Sequence, residues 1–370
     1  MHSLILFSFW LIFWQKFLRN PYLLSTSEIA STYFPFWISM GRKWKLKDDI
    51  YFKYPGCIPF LSMWYWPNVL VSKLTKYISL NVAFKLYAYF ILGHYFIASL
   101  VAYKLLGLFG AITLTYAAYC IKPQTPAAVF TLTWMPAMFL PFPYSVLGVY
   151  LSLSGGYWPI LVYVLPIVAL IAPEALLIGL VLASPQLIAF MWYWKRSVRS
   201  GQAVDREFGR LPLWKLKDLF WPTNSVSLTK GVHYPEVEMY MGIAPLFIFS
   251  FSWWWLPLIV SLLISVGILP GIQRIPSRAL YLLTLCIAAL SAQGLQQSHN
   301  GYIPLLLLHA FFLLKNCSIY PSFPFSQWWD KPSRLYQKFK NPGVWPHVTG
   351  YLQGARISTY RGAFALKHGG

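Results

Sequence analysis

The sequence predicts an all-α, polytopic integral membrane protein. Three observations predict it: 57% of the 370 residues are hydrophobic, only 11% are charged, and mean hydropathy is +0.52. Soluble domains carry about 25% charged residues, so an ordinary cytosolic enzyme, a disordered chain and a fibrous repeat are all excluded. Aromatic residues at 19%, with 27 prolines, fit short helices punctuated by breakers and belted by interfacial anchors.

An apolar stretch of about 20 residues crosses a bilayer, and shorter ones serve if tilted or paired as half-helices. The run from Ser3 to about Leu18 has neither an early basic region nor a small-residue cleavage site, and reads as an uncleaved first span. A polar segment follows over about 19–80. Apolar runs then lie at 82–103, 105–121, 125–141, 143–154, 157–172 and 174–194, bounded by Pro126, Pro141, Pro143, Pro159 and Pro173, since proline stops or kinks a helix. A second polar segment covers 195–239, and runs at 242–269, 278–294 and 302–315 complete a hydrophobic body over 1–315. The run 242–269 is one long helix or two short ones broken near Trp255-Leu256-Pro257. The total is roughly 9–11 transmembrane helices. Residues 316–370 form a basic, aromatic tail. Six spans between the two polar segments put both on the same side of the membrane.

The net charge of +20 is the unusual quantity in so apolar a chain. Nine of the 30 basic residues lie in or beside the first polar segment, eight in the second and eight in or beside the tail; only Lys85, Lys104, Lys122, Arg274 and Arg278 remain for the rest. The positive-inside rule reads both segments as cytoplasmic. The functional reading is a basic vestibule that attracts an anionic ligand, such as a lipid headgroup phosphate or pyrophosphate. Nucleic acid is not the expected partner, because the charge is spread along membrane-flanking segments and not gathered in one module.

Within the apolar runs, His94 is expected to bond a neighbouring carbonyl, the alternative being a place in a cavity lining. Glu174, directly after Pro173, sits at a helix N-terminus where the helix dipole favours a carboxylate. His309 is expected in an interhelical hydrogen bond. Cys57, Cys120, Cys286 and Cys317 are isolated, so neither a zinc site nor a disulfide framework is indicated. No phosphate-binding glycine loop and no Gly-x-Ser-x-Gly elbow occurs.

The first polar segment contains Glu28, then Tyr33-Phe34-Pro35-Phe36, then Gly56-Cys57-Ile58-Pro59-Phe60 and Trp66-Pro67-Asn68. Further on stand Thr133-Trp134-Met135-Pro136, Gly155-Gly156-Tyr157-Trp158-Pro159, Pro185-Gln186, Tyr240-Met241-Gly242 and Arg274-Ile275-Pro276-Ser277-Arg278. This collinear order resembles YfhO-type bacterial membrane proteins of the GT-C glycosyltransferase superfamily. Two departures stand out: Glu28 occupies a position where that family usually carries Asp, and its Gly-Gly-His-Pro turn has lost the His.

The resemblance implies a glycosyltransferase of the bacterial inner membrane that takes a sugar from a polyprenyl-phosphate donor at the outer face. Both basic segments would then face outward, against the positive-inside expectation. Such a transfer needs a carboxylate beside the acceptor hydroxyl and cations on the departing phosphate. Glu28 and the pair Asp48-Asp49 are the catalytic candidates, the pair also being able to hold Mg²⁺ or Mn²⁺ through oxygen ligands. Asp48-Asp49 lies between Lys47 and Lys53 and equally suits a salt-bridged surface turn. Arg196, Arg199, Lys230 and His233 are the phosphate and substrate candidates, Arg supplying a bidentate fork and Lys a point charge. The alternative function is a catalytically silent relative acting as a structural or assembly subunit among other membrane subunits, in contact with membrane lipids.

Overall fold

The computed structural model describes residues 1–24, 33–34, 37–38, 41, 65–117, 125–188, 191, 211, 213, 216–217, 240–242, 244–246, 248–269, 276–297 and 302–317. Among them the regular elements are helical and no strand occurs, as the composition predicts. The helices are α1 (His2–Arg19), α2 (Trp66–Lys73), α3 (Leu80–Thr115), α4 (Pro126–Trp134), α5 (Tyr144–Gly155), α6 (Trp158–Ile171), α7 (Pro173–Leu182), α8 (Trp255–Ser265), α9 (Leu280–Gln297) and α10 (Tyr302–Cys317).

Helix α1 lies antiparallel against the first part of α3. Its register is fixed by polar atoms at three levels: His2 Nδ1 with Tyr103 Oη at 2.7 Å, Trp10 Nε1 donating to Leu92 O at 2.8 Å, and Tyr89 Oη donating to Leu18 O at 3.1 Å. Between these, Phe7 meets Phe96 edge to face, and Trp14 packs on Tyr95 with ring centroids 4.7 Å apart. Aromatic pairs of this kind add about 0.5–1.5 kcal/mol each beyond the area they bury.

Helix α3 begins at Ser79, whose hydroxyl accepts from Val82 N, an N-cap that satisfies one of the orphan donors of the first turn. It is the one helix among the described residues long and apolar enough to cross a membrane, with 36 residues and an 18-residue stretch of mean hydropathy 1.8. It is not straight. Gly107 has φ 67° and ψ −173°, a conformation open to glycine and scarcely to any other residue. Beyond it the chain turns back, so that Ser99 Oγ and Tyr116 Oη, seventeen residues apart in sequence, stand 3.3 Å from each other. In a continuous helix they would be roughly 25 Å apart. The expected separate span at 105–121 is therefore corrected: residues 108–115 are a short, buried limb folded against the helix that precedes them.

One other expectation is revised, and one open choice is decided in favour of a break. The run 125–141 is α4 followed by a 3₁₀ turn over Met135–Phe139, with Pro136 at its second residue; proline lacks the N–H that would continue the α ladder. The run 242–269 is broken. Ser250 N donates to Leu290 O of α9, Trp255 Nε1 donates to Ser250 O, and α8 starts only at Trp255, leaving Pro257 in its first turn where proline is tolerated.

Helix α9 is buried on all sides from Leu280 to Ala292 and packs against α3 and α8. The short helices meet at small residues. A Cβ at Gly148 would strike the backbone of Ala137 and Met138, one at Gly155 the backbone of Thr131, and one at Gly179 the side chain of Val149. Such small residues let the helix backbones approach closely. Large apolar side chains point outward instead, with Leu170 at 85%, Leu177 at 66% and Leu256 at 71% exposure.

Candidate functional site

The seven residues singled out for chemistry, Glu28, Asp48, Asp49, Arg196, Arg199, Lys230 and His233, lie outside the described residues. What the structure describes is the framework from which the two polar segments leave and to which they return. Several of the sequence pieces quoted above meet there, near the C-terminal end of α5.

That end is built by a glycine turn. Gly156 takes φ 89°, a left-handed C-cap that costs glycine little, and its N–H closes on Leu153 O. The same carbonyl accepts from Trp158 Nε1 at 2.8 Å and from Gln186 Nε2 at 3.0 Å. Tyr157 N donates to Thr131 Oγ1 at 3.0 Å, while Thr131 Oγ1 lies 3.1 Å from Ser152 O. The Arg278 guanidinium sits over the Tyr157 ring, 5.5 Å from its centroid, within cation–π range. Thus the Gly-Gly-Tyr-Trp turn, the Pro185-Gln186 piece, the end of the Arg-x-Pro-x-Arg piece and the helix carrying Thr133-Trp134 are neighbours in space.

The Trp66-Pro67-Asn68 piece arrives at the same place through Tyr65. Tyr65 is fully buried and forms a cluster with Phe130 and Leu151, its ring stacked on Phe130 at 5.0 Å. Trp134 Nε1 donates to Tyr65 Oη at 2.7 Å, and Tyr65 Oη lies 2.8 Å from His94 Nε2. His94 Nδ1 is 2.7 Å from Phe90 O. A carbonyl can only accept, so Nδ1 carries the proton; Nε2 then offers a lone pair to the Tyr65 O–H. The result is a directed chain, Trp134 to Tyr65 to His94 to Phe90, in which each donor has an acceptor. Burial pushes the Tyr65 phenol up, against the smaller pull of the Trp134 bond, which keeps it a neutral donor at physiological pH. The carbonyl bond expected of His94 is present; Tyr65 and Thr131 were not recognised from the sequence. The signal for Tyr65 was its place directly before Trp66-Pro67-Asn68.

His309, expected in an interhelical bond, makes one: its Nε2 lies 2.9 Å from Thr113 Oγ1 on the folded-back limb of α3. The second polar segment returns beside it, since a Cβ at Gly242 would lie 2.5 Å from the His309 ring. Glu174 stands in the first turn of α7, exposed, as the dipole argument placed it. It is the one carboxylate among the described residues; the other nine acidic residues fall in the polar segments and the tail. Among the described residues no group of three or more His, Cys, Asp or Glu comes together.

No protein-family model, curated protein or solved structure matches the chain.

Proposed function

We propose that the chain is a polytopic protein of the bacterial inner membrane with a GT-C-like plan, transferring a sugar from a polyprenyl-phosphate donor at the outer face. The observation that carries this reading is the meeting of sequence pieces from Tyr65 to Arg278 around one end of α5. Collinear short motifs arise by chance more easily than collinear motifs whose residues also touch. The outward-facing apolar side chains of α6, α7 and α8 support the membrane setting, because exposed apolar surface on this scale marks contact with lipid or with other helices.

The partition of carboxylates supports placing the chemistry in the polar segments. The sugar–oxygen bond to the donor phosphate breaks, and a bond from the anomeric carbon to the acceptor oxygen forms. Glu28, or one of Asp48 and Asp49, takes the acceptor proton. Arg196, Arg199 and Lys230 hold the charge that develops on the leaving polyprenyl phosphate, with His233 at the acceptor rim. Asp48 and Asp49 are also the residues that would hold Mg²⁺ or Mn²⁺; the proton and phosphate roles above are derived without a metal.

A specific observation favours a second reading, a catalytically silent structural or assembly subunit. Tyr157 replaces the family's histidine and is used structurally, buried beneath Arg278 with its N–H committed to Thr131. The deciding experiment assays sugar transfer from polyprenyl-phosphate donors by wild type, Glu28→Gln and Asp48→Asn/Asp49→Asn. Activity in wild type that collapses in one of the variants supports the enzyme. Equal activity in all three, or none in wild type, removes the catalytic assignment.

A further inference from the structure

The Tyr65–His94 pair is an unusual use of polar atoms in the interior of an apolar bundle. A phenol and an imidazole are both fully buried, and a buried hydroxyl or ring nitrogen is tolerated only when it is paired. Two phenylalanines would fill the same space without that demand. What the polar pair adds is direction: its bonds are short, run one way and admit a single arrangement of the rings. The arrangement joins three elements that are far apart in sequence, namely the last part of the first polar segment (Tyr65), α3 (His94) and the end of α4 (Trp134). Tyr65 also packs on Leu151, two residues before the Leu153 carbonyl that holds Gln186, where the chain approaches the second polar segment.

We infer that the Tyr65–His94 hydrogen bond is the post that fixes the end of the first polar segment relative to the chain at Gln186 that leads into the second, through the C-terminal end of α5. Tyr65 and His94 are thus positioning residues: they touch no reacting atom and act through the segments they hold. The catalytic consequence rests on the transfer reading above. There, the proton acceptor belongs to the first segment and the phosphate cations to the second, and a misplacement of about 1 Å between such groups costs on the order of a hundredfold in rate. The structural consequence does not depend on any activity.

The test measures distance first and rate second. Spin labels are placed at the exposed positions Leu70→Cys in α2 and Ile188→Cys on the chain that leads into the second segment, with Cys57, Cys120, Cys286 and Cys317 replaced by Ala. The distance distribution is recorded by pulsed electron paramagnetic resonance on the full chain in lipid nanodiscs. Wild type is expected to give one narrow distribution. Tyr65→Phe and His94→Leu, which remove the donor and the acceptor in turn, lose it. His94→Gln, whose side-chain oxygen can accept where Nε2 does, keeps it. Should Tyr65→Phe fail to fold, the contrast between His94→Leu and His94→Gln decides alone. Where transfer is measurable, the broadened variants lower kcat about a hundredfold with KM little changed. A broad wild-type distribution, or one unchanged in folded Tyr65→Phe and His94→Leu, overturns the inference even if the protein proves to be a glycosyltransferase. Absence of transfer in every variant leaves the distance result intact and removes only the enzyme reading.

Discussion

Replacing Gly107 by Ala tests the reversal in α3 with little steric ambiguity. A Cβ at position 107 would find only Gln296 Nε2, at 3.8 Å, which is an ordinary van der Waals contact. The cost is therefore torsional. Holding an L-residue at φ 67°, ψ −173° costs about 1–3 kcal/mol. Gly93 provides the internal control, because it lies in the helical part of α3 and a Cβ there meets nothing within 4 Å. Gly93→Ala is expected to stabilise by roughly 0.5–1 kcal/mol, the usual helix-interior preference. The two alanine variants should thus differ by about 1.5–4 kcal/mol, of opposite sign about wild type. The assay is reversible unfolding in mixed micelles, followed by circular dichroism as denaturing detergent is added. Equal stability of Gly107→Ala and wild type would refute the folded-back limb and favour one continuous helix of 36 residues, roughly 54 Å long against a hydrocarbon core of about 30 Å. Loss at Gly93 as large as at Gly107 would refute the torsional argument.

Further expectations use the same kind of measurement. Gly148→Ala and Gly155→Ala drive a methyl into backbone atoms that cannot step aside, and each should destabilise by about 1–3 kcal/mol. Gly179→Ala meets chiefly the side chain of Val149, with the Tyr150 backbone at ordinary contact distance, and should cost less; the reverse order in thermal unfolding would contradict the α4–α5 packing. Trp134→Phe removes one bond to Tyr65 Oη but keeps the Tyr65–His94 bond, whereas Tyr65→Phe leaves both Trp134 Nε1 and His94 Nε2 without their partner. An orphaned buried polar group costs about 1–3 kcal/mol, so Tyr65→Phe should be the more damaging of the two in the same unfolding assay.

Much of the helix layout was legible because prolines and small residues act locally. Pro126, Pro159 and Pro173 each stand in the first turn of the helix they open, and Pro143 directly precedes α5. Pro166 is the counterexample, lying inside α6 without ending it. The break between the runs ending at 103 and starting at 105 fell within a few residues of Gly107, yet the direction taken after it did not follow from sequence. Hydropathy counts apolar residues along the chain and is blind to a φ of 67°. His94 shows the same division. That its Nδ1 would bond a carbonyl one turn earlier is a local property of a helical histidine. Its partners Tyr65 and Trp134 lie 29 and 40 residues away and are selected by packing, which a single sequence does not display.

The charge distribution gains a sharper meaning from two cations that the structure places on aromatic rings of the bundle. Lys85 lies over the Tyr22 ring at 5.8 Å and Arg278 over Tyr157 at 5.5 Å. An aromatic face stabilises a cation in a region almost free of carboxylate, by about 0.5–2 kcal/mol depending on desolvation. With Glu174 the one described acid, the bundle has little anionic charge with which to neutralise the chain's +20. The excess resides in or beside the two polar segments and the tail, where 25 of the 30 basic residues are found. If it served topology alone, its cations would need no common anchor. The anchors of the two segments instead converge on Leu151 and Leu153 of α5, two residues apart on one helix end. On the transfer reading proposed above, that convergence would bring the roots of the two basic segments to one helix end.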